Sequence, residues 1–183
     1  MKIDFKTCNE EQLWKYVGRH LSKNGIDAVL VGGAVVSIYT KGAYESGDLD
    51  FVVQNLMKDT IPAIMSEIGF KRKGRHFVHP ECKHLYVEFP SGPLGIGEDI
   101  NIEPDEHKGK GSVLKILSPT DCIKDRLASY IYFKSNEGLD QAVLVATEQP
   151  FKKEAVKKWC LNEGAEWAFK DFLDKVKGSR KKK

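Results

Sequence analysis

The chain is short of features that would take it out of a reducing, aqueous compartment. Its four cysteines, Cys8, Cys82, Cys122 and Cys160, lie far apart and form no CxxC pair, so neither a disulfide framework nor a ribbon-type zinc motif is in view. No apolar run approaches the roughly 20 residues needed to cross a bilayer. The opening MKIDFKTCNEEQ lacks the apolar core of a signal peptide. The expectation is a soluble cytoplasmic protein that does not engage membranes. Charge of one sign is also scarce. The net formal charge is +3, and several positive charges lie in the closing KGSRKKK, so the body is close to neutral and demands no nucleic-acid partner. No internal repeat is visible. The glycines of GPLGIG and GKGS match neither a dinucleotide fingerprint nor a complete GxxxxGK[ST] phosphate loop, and they read as loops.

What is present suits one domain with a small helical appendage, since 183 residues with 41% apolar content can enclose a core. Residues 10–23 place Leu13, Trp14, Val17 and Leu21 at helical spacing, and Asn24-Gly25 is a stop signal. Residues 28–31 predict a short buried strand, 34–40 a helix behind it, 41–47 a glycine-bounded loop, and 48–53 a second strand. Residues 59–68 predict an amphipathic helix, and 70–79 with 84–89 predict a hairpin. The Gly- and Pro-rich stretch 90–112 predicts loop with one strand around 99–102, followed by a strand at 113–117. Ser118-Pro119-Thr120-Asp121 is a strong helix start, and helical segments are expected from there to about residue 176. The domain expectation is an α/β core over 1–117, a helical region over 118–177 and a disordered basic tail over 178–183. Trp14, Trp159 and Trp167 read as packing residues on amphipathic helices.

One stretch resists a purely structural reading. VLVGGAVVSIYTKGAYESGDLDFVV runs from an apolar strand into a Gly pair, then through a linker to two aspartates alternating with apolar residues. Side chains alternate along a strand, so Asp48 and Asp50 share one face, roughly 7 Å apart at their Cα atoms. Two such carboxylates repel unless a cation lies between them. Magnesium, which takes a few carboxylates together with phosphate oxygens and water, removes that conflict. Gly32 and Gly33, without a Cβ, let backbone amides approach a phosphate closely. Ser46, just before the acidic strand, has a hydroxyl within reach of a phosphate or of the loop.

This pattern of apolar strand, Gly-Gly, linker and acid-apolar-acid strand resembles the signature of the nucleotidyltransferase superfamily of DNA polymerase beta type. It is most similar to the minimal nucleotidyltransferases and the abortive-infection toxin nucleotidyltransferases. The resemblance covers roughly residues 12–145 and implies an α/β fold, a mixed β-sheet with helices packed on it and a C-terminal helical region. It also implies a third carboxylate on a neighbouring strand, for which Glu88 in HLYVEFPSGPLG is the candidate, with Asp99 and Glu103 next in line. The family more often has Asp at this place. From DCIKDRLASYIYFKSNEGLDQAVLVA the resemblance further implies a basic phosphate contact at Arg126 or Lys124, where Lys is the commoner family residue, and an acid at Asp140.

The activity so implied is metal-dependent transfer of a nucleoside monophosphate from a nucleoside triphosphate to an acceptor hydroxyl. Asp48, Asp50 and Glu88 would hold two Mg2+ ions, and the acceptor would be an RNA such as tRNA, a protein or a small molecule. The alternative is a non-catalytic nucleotide-binding module or one partner of a toxin–antitoxin pair. A separate cluster in HPECKH, His79, Cys82 and His84, has metal-binding residue types but offers no fourth ligand and falls at the expected hairpin turn.

Overall fold

The elements that bury the core are the ones with the clearest periodicity. In this computed structural model, which describes residues 3–54, 58–109 and 111–180, α1 spans Glu10–Lys23 with Leu13, Trp14, Val17 and Leu21 all buried on one face. Its start is fixed by a reciprocal cap. The Asn9 side chain accepts from the Gln12 amide and the Gln12 side chain accepts from the Asn9 amide, which satisfies two otherwise orphaned donors. The strand β1 (Ala28–Val31) then leads through Gly32 into α2 (Gly33–Tyr39), and a loop returns the chain as β2 (Asp48–Val53).

A 3-10 turn (Lys58–Thr60) and α3 (Ile61–Glu67) together occupy the segment expected as one helix. The expected hairpin is instead a three-stranded antiparallel unit, β3 (Lys71–Lys73), β4 (His76–His79) and β5 (Cys82–Glu88). Residues 99–102 form no strand and contribute only the bridge between Ile96 and Asp99. The sheet is extended by β6 (Asp105–Gly109), which pairs with β7 (Ser112–Ile116).

The seven strands form one mixed sheet in the order β3-β4-β5-β2-β1-β7-β6. Its centre combines a parallel β2–β5 pair, an antiparallel β1–β2 pair and a parallel β1–β7 pair. The helices α1 and α2 pack on β1 and β2, and α1 also covers β7. The last third of the chain is helical: α4 (Pro119–Phe133), α5 (Asn136–Glu148), α6 (Lys153–Asn162) and α7 (Glu166–Arg180). Ser118 caps α4 by accepting from the Asp121 amide, with Pro119 in the first turn. Gly138 lets α5 close on α4, because a Cβ there would lie 2.7 Å from the Arg126 carbonyl oxygen.

Two expectations need correction at this end. Residues 178–180 are the last turn of α7 rather than the start of a tail, while 181–183 lie outside the described residues. Trp14 and Trp159 are buried, the latter donating from its indole N–H to the Ile96 carbonyl, but Trp167 is 43% exposed and edge-on to Tyr130. All four cysteines are buried and free. Among the described residues, no helix is long and apolar enough to cross a membrane.

Candidate active site

Backbone pairing brings the three carboxylates together. In the parallel β2–β5 pair, Asp48 lies opposite Tyr86 and Asp50 opposite Glu88, with Leu49 and Val87 between them. Leu49 and Val87 are fully buried in the core, whereas Asp48, Asp50 and Glu88 are all half-buried on the other face. Strand alternation therefore sorts the sequence into an apolar floor and an acidic surface. Asp50 feels that surface most. Burial, then the Asp48 carboxylate, then Glu88 push its acid up from 3.8 to about 7, with Arg126 pulling the other way. Burial penalises the charged form, and the two neighbouring carboxylates add to that cost.

Gly32 lets the backbone close on Asp50. It has φ +76°, and a Cβ at this position would lie 2.7 Å from Asp50 Oδ2. Only glycine combines that backbone conformation with so close an approach. At Gly33 a Cβ would meet Ser46 Oγ at 2.8 Å. Ser46 faces inward, and its hydroxyl donates to Asp48 Oδ1 at 2.9 Å while its amide donates to Glu10 Oε1 at 2.7 Å. Ser46 thereby orients Asp48, and the buried Glu10 at the start of α1 orients Ser46. Sequence reading missed Glu10, which looks like an ordinary first-turn acid.

Glu88 is turned toward its hairpin neighbours. Its Oε1 lies 2.6 Å from His76 Nδ1 and its Oε2 lies 3.4 Å from Arg75 Nε. The His76 contact is close but lacks hydrogen-bond alignment. Asp48, Asp50 and Glu88 share a face without closing into a tight cage. Among the described residues, the one group of three His, Cys, Asp or Glu side chains whose ligating atoms all lie within 4.8 Å of one another is Cys8, Cys82 and His84.

The helical region contributes one of its three expected residues. Arg126 is close enough to Asp50 to favour its ionised form, and its Nε and Nη2 both donate to Asp125 Oδ2, at 3.0 and 2.6 Å. Its Nη1 donates to Gln141 Oε1 at 3.2 Å, and Gln141 Nε2 in turn donates to Glu137. Burial works against the Arg126 charge, but Asp125 outweighs it and the guanidinium remains a cation. Lys124 points elsewhere and pairs with Asp121 and Asp99. Asp140 is exposed and pairs with Lys175 of α7. Neither approaches the carboxylates, because positions 124 and 126 face different sides of α4 and Asp140 faces outward on α5. Asp99, held by Lys124, is likewise on that other side. Asp125, Gln141 and Tyr44, whose ring edge lies against Gly33 and whose hydroxyl donates to Glu137, are the residues that sequence reading missed here. Asp125 was legible only as the neighbour of Arg126.

The donor set is one of hard oxygens whose mutual repulsion Arg126 offsets only in part. That is what a magnesium ion accompanied by phosphate oxygens requires, so the residues present fit such a metal.

Comparison with known proteins bears on the fold. Residues 10–75 match the model of a family described as "Nucleotidyl transferase of unknown function (DUF2204)". No curated protein sequence is significantly similar to the chain. The chain is similar in structure to the antibiotic-resistance factor ANT(2'')-Ia in solution, with 11% identity, 95% of this chain and 100% of that chain covered, and a TM-score of 0.52. It is similar to the crystal structure of ANT(2'')-Ia in complex with adenylyl-2''-tobramycin, with 11% identity, coverage of 87% and 97%, and a TM-score of 0.53. An antigenic nucleotidyltransferase-like protein from Paracoccidioides brasiliensis is similar at 14% identity, with 75% of each chain covered and a TM-score of 0.55.

Proposed function

We propose that this chain, which has the fold of the nucleotidyltransferase superfamily, moves a nucleoside monophosphate from a nucleoside triphosphate to an acceptor hydroxyl. The observation that carries this reading is the packing of Asp50 against Gly32, with Asp48 and Glu88 on the same face. Asp48, Asp50 and Glu88 would hold magnesium, two ions in all, and the metal when bound neutralises the triphosphate and lowers the pKa of the attacking hydroxyl.

The chain's own residues supply position and charge. The backbone at Gly32 and Gly33 leaves room for phosphate oxygens beside Asp50, and Arg126 opposes their charge from α4. Ser46 holds Asp48 in one orientation. The acceptor oxygen forms a bond to the α-phosphorus while the bond from that phosphorus to the α,β-bridging oxygen breaks. Pyrophosphate leaves with the electron pair, and the hydroxyl proton passes to Glu88. Glu88 must first leave His76 and Arg75, so its release accompanies loading of the site. The acceptor hydroxyl belongs to an RNA, a protein or a small molecule.

Transfer of label from each of the four α-labelled ribonucleoside triphosphates, with magnesium, into cell extract tests the proposal. Label should appear in one acceptor class with wild-type protein and not with Asp50→Ala. A second reading, a nucleotide-binding module without catalysis, draws support from the engagement of Glu88 by His76 and Arg75. Magnesium-dependent triphosphate binding without transfer into any acceptor would favour it.

A further inference from the structure

The start of β5 gathers a second set of metal-ligating side chains, of a different chemical kind. Cys82 opens the strand, and His84 follows two residues later on the same strand face. The N-terminal turn, closed by the Cys8 amide donating to the Asp4 carbonyl at 2.9 Å, delivers Cys8 to the same place. The two sulfurs lie 4.0 Å apart. With His84 they form a group whose ligating atoms are all within 4.8 Å of one another.

We infer that Cys8, Cys82 and His84 bind a zinc ion. Two thiolates on one tetrahedral zinc, at about 2.3 Å each, stand about 3.8 Å apart, close to the separation observed. A disulfide requires about 2.05 Å. The ligand set of two sulfurs and one imidazole is the soft and borderline combination that selects zinc over magnesium. One imidazole nitrogen, Nε2, lies 2.7 Å from the Cys8 carbonyl oxygen, and a carbonyl partner of this kind fixes the ring of a metal-bound histidine. His84 is exposed while both cysteines are buried. The site therefore has a closed sulfur side and an open side toward a cleft of about 590 Å3 that Cys8 and His84 help to line; water completes the tetrahedron from there. Binding releases the two thiol protons to solvent and leaves two thiolates on the metal. His79, grouped with Cys82 and His84 by sequence spacing, takes no part, since its ring stacks on Phe5 at 3.7 Å. The ion would tie the N-terminal turn to β5 immediately before Asn9 and Glu10, the residues that start α1 and orient Ser46.

The test is the metal content of the purified full chain after zinc loading and gel filtration, together with the absorption spectrum of the cobalt-substituted protein. Wild-type protein should hold about one zinc per chain and show a thiolate-to-cobalt charge-transfer band. Asp50→Ala should hold as much, which separates this site from the carboxylates. Cys8→Ser and Cys82→Ser should lose the metal. His84→Ala, a change at an exposed position that leaves the core intact, should weaken zinc binding at least about tenfold. The inference is overturned if wild-type zinc does not exceed a chelator-treated blank, if the cobalt spectrum lacks the thiolate band, or if His84→Ala binds as tightly as wild type. Isolation of the folded, reductant-free chain with a Cys8–Cys82 disulfide and no zinc would overturn it equally.

Discussion

The two ends of β5 carry opposite chemistries. Cys82 and His84 at its start present sulfur and nitrogen against a segment 74 residues away in sequence from Cys82, whereas Glu88 at its end presents oxygen beside its register partner Asp50. At the first end the side chains meet because a separate turn of chain is laid over the strand. At the second they meet because two strands are paired in parallel, so the backbone hydrogen bonds of the sheet set the spacing. A site built on paired strands can be held under electrostatic stress, as the raised acid of Asp50 shows. A site built by docking a terminal turn depends instead on side-chain packing, here Phe5 against Tyr16, Phe70 and His79.

Removing an acid should part the two ends most forcefully. Asp48→Ala or Asp50→Ala takes away a ligand of a metal whose charge stabilisation is worth several kcal/mol, so transfer should fall on the order of a thousandfold. Metal analysis of the same proteins should show zinc unchanged. A transfer rate within a few-fold of wild type would break the contrast. Glu88→Gln keeps size and removes the proton acceptor. Transfer should drop about a hundredfold or more while triphosphate binding survives. Equal rates in single-turnover assays would move the third carboxylate elsewhere.

These predictions rest on residues of unequal legibility. The bounds of α1, β1 and β2 follow from sequence because their apolar positions recur at clean helical or strand spacing, and Asp48 and Asp50 stand out as exceptions within such a pattern. β6 was missed because DEHKG is exposed along its whole length and alternates in nothing that sequence can register. The strand expected at 99–102 does not form, and Ile100 within it is 71% exposed. Arg126 is preferred over Lys124 from the sequence itself, because Ile123 and Leu127 set the buried face of the helix, whereas the union of Cys8 with Cys82 needs the path of the N-terminal turn, a tertiary fact with no local signal.

Gly32→Ala probes the close approach itself. The added methyl must displace Asp50 Oδ2 and adopt a positive φ, so chemical denaturation should show a loss of about 1–3 kcal/mol. Unchanged stability would mean that Asp50 is not pressed against the turn.

The smallest effect is a pH dependence. In the unfolded chain Asp50 ionises near 3.8, whereas in the fold it holds its proton until about 7, so its charge costs stability progressively between those values and fully above them. Asp50→Asn should therefore stabilise the metal-free protein at pH 8 by ~1–2 kcal/mol after allowance for solvent screening, and by almost nothing below pH 3.8. Thermal melts with chelator present read this directly. A variant less stable than wild type at pH 8 would show that the carboxylate is not under stress.

If Asp48, Asp50 and Glu88 seat a metal-bound triphosphate, its binding depends on both the metal and the acids. Calorimetric titration of wild-type protein and Asp50→Ala with each nucleoside triphosphate, in magnesium and again in chelator, tests it most directly. Wild type should bind at least one triphosphate in magnesium, with binding lost in chelator and lost in folded Asp50→Ala. Equal affinity with and without the metal, or an unchanged affinity in Asp50→Ala, would contradict it.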